Sequence, residues 1–364
     1  MTVVAAVLAV ALTRPALAVG DDSNALPPQD AAPMAPVEAG EQPIASWPTR
    51  IGALQYIPGR GLRFGDTGLT LGGYSNVTLN RDEGHQAHLT LDDVSLFVIF
   101  DPLPQLHFFS ELEYADVFEI NEHAQTYSPD ESATVERLYL DVDVSDALKI
   151  RTGIFLTPVG RWNTIHAAPL VWTTSRPLTT EIPFDPNVTG VMVFGSFFPS
   201  GGTLTYNVFD QFAKPIEGNP NFDPAEHSDG VRLRYDDDRG WSVGASYVAA
   251  LRHGDWRQFF GLDALWSRRP LEVMAEAVMD AGFGDAPQWG LYVQPVLAVS
   301  ERLALVARYE HFAASGPPPQ VNIMTAGVAF RLLPTVVLKA EYQVVDRHTA
   351  IAPAGFRSSI AVLF

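Results

Sequence analysis

From residue 67 onward the chain alternates apolar and polar positions in runs of about ten residues or slightly more, each closed by a turn signal. Within 270–281, Leu271, Val273, Ala275, Ala277 and Met279 form one face, while Glu272, Glu276 and Asp280 form the other. Within 335–347, Val336, Leu338, Ala340, Tyr342 and Val344 alternate with Lys339, Glu341 and Gln343. Within 131–144, Leu138, Leu140 and Val142 alternate with Arg137, Asp141 and Asp143. A period of two describes strands with different environments on their two faces. A soluble β-sandwich would turn its apolar face inward and would not carry this many charges on the opposite side of every strand. The pattern instead predicts lipid outside and water inside.

The runs fall at about 67–79, 87–100, 105–120, 131–144, 147–158, 187–198, 202–212, 229–236, 240–250, 256–267, 270–281, 287–298, 302–312, 320–331, 335–347 and 353–364. Their connections alternate in length. "DPLP", "VSDA", "PSGG", "DDDRG", "SRRP", "VSE" and "RLLP" are tight turns, and between them lie longer segments such as "NEHAQTYSPD" and "AASGPPP". Short periplasmic turns and long outer loops are the signature of an outer-membrane barrel. The predicted fold is therefore all-β: a 16-stranded antiparallel transmembrane β-barrel over 67–364. Unpaired backbone groups are costly in lipid, so the sheet must close on itself. The last run ends on Phe364, expected as the interface aromatic of a strand that pairs with the first and that serves assembly.

The remaining sequence fits this picture. Residues 3–12 are apolar and Ala16, Leu17 and Ala18 form a small-x-small site, so 1–18 reads as a secretory signal peptide. Its positive n-region is missing, which implies a start codon further upstream. Residues 19–66 are rich in Pro, Ala and acid and are expected to be a disordered periplasmic leader. The net charge is -18 and the chain has no cysteine; Lys149, Lys214 and Lys339 are its lysines, so there is no polybasic tract for nucleic acid. Neither a cofactor nor a metal site is expected. His85 and His88 have chelate-like spacing but no supporting ligands in the pattern.

A barrel of sixteen strands encloses an aqueous lumen. The residues expected to line it include Glu111, Glu113, Arg137, Asp141, Asp143, Lys149, Arg151, Lys339 and Glu341. Part of this mixed charge is expected only to brace the wall. The third outer loop, about 159–186, is too long for a hairpin cap, and its Pro, Trp and β-branched content needs burial. It is expected to fold into the lumen as a constriction, with Arg161, His166, Arg176, Glu181 and Asp185 as candidate constriction residues. Arg161 and Arg176 are expected to face Glu111, Glu113, Asp141 and Asp143 across the gap.

The terminal Phe strand, the sixteen runs and the long third loop resemble the bacterial porins. The segment "GIFLTPVGRWN" at 153–163 resembles phosphate-selective porin O and P relatives, and "FSELEYADVFEI" has a similar character. The resemblance implies a passive diffusion channel for small hydrophilic solutes or ions in the outer membrane of a Gram-negative bacterium, and a homotrimer. Outer-membrane lipid, lipopolysaccharide and the barrel-assembly machinery are the expected partners. Those relatives bind anions through Arg and Lys arrays, whereas this chain is acidic, so phosphate preference is not carried over. The alternatives are a plugged barrel with a surface assembly or adhesion role, and an outer-membrane barrel enzyme. No nucleophile signature supports the enzyme; Ser175 in "TTSRP" has no motif around it.

Overall fold

The computed structural model describes residues 50–123, 125–127, 132–165, 167–181, 184–214, 224–282, 287–314, 320–347 and 351–364. The expected signal peptide and most of the expected leader lie outside these residues.

Sixteen long strands among the described residues form one closed antiparallel sheet. They are β1 Leu69–Asp82, β2 His88–Leu103, β3 Leu106–Asn121, β4 Ser132–Ser145, β5 Leu148–Leu156, β6 Asn187–Phe197, β7 Gly202–Ala213 and β8 His227–Asp237. The second half comprises β9 Trp241–Arg252, β10 Asp255–Arg268, β11 Leu271–Gly282, β12 Gln288–Ala298, β13 Leu303–Ala313, β14 Val321–Leu333, β15 Val336–Val345 and β16 Gly355–Leu363. Each strand pairs with its sequence neighbours, and β16 returns to β1 with Ser358 opposite Leu79 and Ile360 opposite Val77. All sixteen expected runs are strands, with ends shifted by a few residues.

The two faces are sorted as lipid requires. Leu262 and Met324 are 65% and 62% exposed on the outside, whereas the inward Glu276 and Glu310 are 2% and 1% exposed. Moving such a charge to the lipid face would cost about 2–4 kcal/mol near the midplane, so the parity of every strand is held by the solvent around it.

Two features depart from the alternation-based picture. Residues 50–66 were expected to belong to the disordered leader, but Leu54–Ile57 and Gly61–Phe64 form an antiparallel pair that continues onto β1. A Cβ at Gly61 would fall 2.0 Å from the Leu71 carbonyl oxygen, and Gly61 has a φ of +106°. Only glycine allows this hairpin to meet the barrel so closely. The pairing covers β1 backbone beneath the strand end, a contact that composition does not report.

The second departure is inside. Phe109, Tyr139, Phe155, Phe194, Phe209 and Phe259 belong to a buried apolar cluster on the β3–β10 side, completed by Phe184 of the third loop. The Arg137 and Arg151 guanidinium groups lie 4.6 Å and 3.7 Å from the Phe109 and Tyr139 ring centroids. Part of the interior is thus a packed core.

Candidate channel interior

The segment between β5 and β6 runs within the barrel. It contains helix α1 Trp162–Ile165, a 3-10 turn Ala168–Leu170 and helix α2 Leu178–Glu181. Helices this short leave their first backbone N–H groups without internal partners, and burial makes those groups expensive to leave bare. Three wall glutamates receive buried N–H groups of the loop, two of them at helix starts and one in the stretch before α2. Glu276 on β11 accepts Arg161 N at 2.9 Å and Trp162 N at 2.8 Å. Glu341 on β15 accepts Thr174 N at 2.9 Å and Ser175 N at 2.8 Å. Glu310 on β13 accepts Thr179 N at 2.9 Å. The first contact also explains Gly160, where a Cβ would meet Glu276 Oε2 at 1.9 Å.

Wall cations hold the loop's carbonyl groups. Lys339 Nζ donates to Ala168 O and Thr173 O, both at 2.9 Å. Arg308 donates to Thr173 Oγ1 and Ser175 O at 2.9 Å, and to Ser175 Oγ at 2.7 Å. Trp172 Nε1 donates to Glu272 at 2.7 Å. Contacts from β8 to β16 therefore anchor the loop, with Thr174 Oγ1 3.1 Å from Ser359 Oγ and the 3-10 turn against β1, and Lys339 and Glu341 act as its anchors.

Arg161 enters a buried charge row. Its Nε is 3.1 Å from Asp263 Oδ1, and Arg232 Nη2 is 2.8 Å from Asp263 Oδ2. All three are at most 5% exposed. Asp185 is also buried; it pairs with Arg252 and accepts Ala225 N at 2.8 Å. Arg176 stays within the loop, donating to Asn163 Oδ1 at 2.9 Å and to Thr180 O at 2.7 Å. It braces α1 against α2. Burial draws its guanidinium pKa below the usual arginine value. Glu181 is exposed at the end of α2. His166 lies outside the described residues.

The expected opposition of Arg161 and Arg176 to Glu111, Glu113, Asp141 and Asp143 is therefore corrected. Three of those acids meet bases on adjacent strands. Glu111 is opposite Arg137, with 2.5 Å between Oε2 and Nε. Asp141 is opposite Arg151 and takes two 2.8 Å hydrogen bonds from it. Asp143 is opposite Lys149 at 2.5 Å. Register puts these partners side by side, and a neighbour in the sheet is reached before anything across the lumen.

Glu113 has different company: Glu136, Asp93, Glu111 and Asp92 are its charged neighbours. Asp92 and Glu136 escape a reading based on strict alternation, because β-bulges place them, whereas Asp93 keeps the parity of the inward Ser95. Asn76 and Val77 of β1 face Asp93 and Leu91, which leaves Asp92 as the extra residue. Glu111 and Leu112 face Arg137 and Val135, which leaves Glu136 as the extra residue. A bulge re-aims side chains out of the two-residue period. The signal available in the sequence was "LDDV" itself, where two adjacent acids break the alternation of a lipid-facing strand.

No protein-family model matches the chain. An uncharacterized protein of Aquifex aeolicus (strain VF5) is 30% identical over 134 residues, covering 35% of this chain and 29% of that protein. The match thus spans less than a third of that relative's length. Several solved structures share the fold. OmpF of Salmonella typhi, in complex with daunomycin, superposes with a TM-score of 0.59 at 12% identity, covering 81% of this chain and 97% of that one. OmpT of Vibrio cholerae, expressed in the outer membrane, gives 0.57 at 10% identity with the same coverages. An anion-selective porin from Comamonas acidovorans gives 0.55 at 13% identity, covering 81% of this chain and 98% of that one. At these identities the likeness concerns the fold. The chain is a porin-like barrel of the kind found in the outer membrane of Gram-negative bacteria.

Proposed function

We propose that the chain is a porin, a passive diffusion channel for small hydrophilic solutes or ions, with the third loop setting its narrowest passage. The observation that carries this reading is a closed barrel with charged side chains inside and a loop held against one part of its wall. The loop is tied to β8–β16 and its 3-10 turn lies against β1, while Asp92, Asp93 and Glu113 on the β2–β3 wall stay only half-buried. Solute would pass between the loop and this wall. A channel of this kind works without a catalytic group, and the interior residues serve binding, bracing and field. Phosphate preference does not follow from the likeness of 153–163 to phosphate-selective porins, because the interior arginines and Lys339 are already engaged by carboxylates and loop carbonyls.

Reconstituted full-length barrel in a planar bilayer should show discrete conductance steps. Replacing most of the third loop by a short glycine-serine link should enlarge them. A folded barrel that carries no current would overturn the proposal. That outcome would favour the second reading, a plugged barrel with a surface assembly or adhesion role, to which the dense hydrogen bonding of the loop lends support. A homotrimer, contacts with lipopolysaccharide and delivery by the barrel-assembly machinery through β16 are part of the same proposal. One solved form of Vibrio cholerae OmpT is a trimer.

A further inference from the structure

The interior is not electrically even. On β2–β4, bulges gather Asp92, Asp93, Glu111, Glu113 and Glu136 within electrostatic reach of one another. Three bases lie near them, one being Arg176 of the loop, which is within electrostatic reach of Glu136 and donates to Asn163 and Thr180. Arg137 is held by Glu111. Lys339 is within electrostatic reach of Asp92 and Asp93, but its ammonium group donates to two loop carbonyls. A strip rich in carboxyl groups thus faces three cations that already have partners.

A second observation concerns the oxygen atoms buried beside this strip. Asn76 is 5% exposed; its amide nitrogen donates to Asp92 Oδ2 at 3.1 Å, and its Oδ1 has no hydrogen-bond donor. Glu111 is 0% exposed, and its Oε1 also has no donor. Acceptor oxygens buried without donors are costly. Here they border a strip rich in carboxyl groups, and among the described residues neither oxygen has a donor. A mobile cation relieves both the bare acceptors and the mutual repulsion of the acids. Among the described residues no three of these groups have the geometry of a fixed metal site. The strip acts as a field along a path.

We infer that this strip makes the pore prefer inorganic cations, and that Asp93 and Glu113 set the preference. The inference rests on the channel reading above. Unlike the expected opposition of loop arginines to wall acids, it places the selective charge on the β2–β3 wall alone. Arg161, Arg232 and Arg308 contribute little field to the passage, because each is buried against Asp263 or the loop. The fold is shared with an anion-selective porin, and the difference between the two would lie in these side chains.

The test is the reversal potential of the full-length barrel in a planar bilayer under a potassium chloride gradient. Wild type should reverse on the cation side. A few unit charges within about 7 Å of the path, screened over about 8–10 Å, give a potassium-to-chloride permeability ratio of about tenfold. The ratio should shrink as both baths approach molar salt. Asp93→Asn combined with Glu113→Gln should lower it to about twofold while conductance steps persist. A wild-type reversal at zero or on the anion side would overturn the inference and leave the channel reading intact. So would a double variant that keeps the wild-type ratio. Should the double variant not fold, the wild-type sign and its salt dependence still decide. A folded wild-type barrel without current would remove the channel reading and this inference together.

Discussion

Phe364 and Gly73 exchange two backbone hydrogen bonds: Gly73 N to Phe364 O at 2.9 Å, and Phe364 N to Gly73 O at 2.8 Å. The Phe364 ring also lies against the glycine, where a Cβ would meet Cε2 at 3.0 Å and the Ser95 carbonyl oxygen at 2.1 Å. The last residue of the chain is therefore part of the seam that closes the sheet. Deleting Phe364 removes both hydrogen bonds and the ring. The amount of heat-modifiable barrel in the outer membrane should fall several-fold, read on unheated gels. Gly73→Ala should have the same effect with the terminus intact, since its φ is +158° and its Cβ would be driven into β2. Wild-type amounts of both variants would show that the seam forms without this contact.

The glutamates that receive the third loop should control its order. Glu276→Ala strips the acceptor from Arg161 N, Trp162 N and the Tyr292 hydroxyl, which lies 2.5 Å away. Buried groups left bare cost about 1–3 kcal/mol each. The expected result is a lower unfolding temperature and noisier open-channel current. Glu276→Gln, which keeps an acceptor oxygen, should fall between the two. Quiet current and unchanged melting in Glu276→Ala would mean that the loop is held elsewhere.

Asp263 should be harder to remove. It bridges Arg161 and Arg232, and Asp263→Asn would leave two buried guanidinium groups without the carboxylate they share. Breaking a buried pair in this way costs about 3–5 kcal/mol. Urea unfolding of the detergent-solubilised barrel should show the loss as a lower midpoint. Asp263→Asn with Arg232→Met should recover part of it.

Arg176 should affect the loop without changing charge selectivity. Its partners Asn163 and Thr180 belong to the loop, so Arg176→Ala unties α1 from α2. Proteolysis between the two helices should speed up in the variant, while the reversal potential should stay at the wild-type value. A clear shift toward cations would return Arg176 to the passage.

The barrel itself could be read directly. The sixteen alternating runs from 67 to 364, the parity of Glu276 and Met279 or of Glu341 and Tyr342, and the short-long rhythm of the connections all follow from local sequence. Lipid penalises a misplaced charge strand by strand, so each strand carries its own evidence. The interior obeys a different logic. Trp162 meets Glu276 and Thr174 meets Glu341 only once the barrel has closed, because each pair is more than a hundred residues apart in sequence. Asp141 faces Arg151 through register, which local pattern does not specify. Asp92 and Glu136 point inward through bulges that break the very period used to find the strands. The Leu54–Phe64 hairpin is ordered by its contact with β1, whatever the composition around it. Periodicity thus determined the wall, since every residue there answers to the same solvent. Tertiary structure decided the contents of the lumen, since a side chain inside answers to whichever partner closure brings within hydrogen-bonding distance.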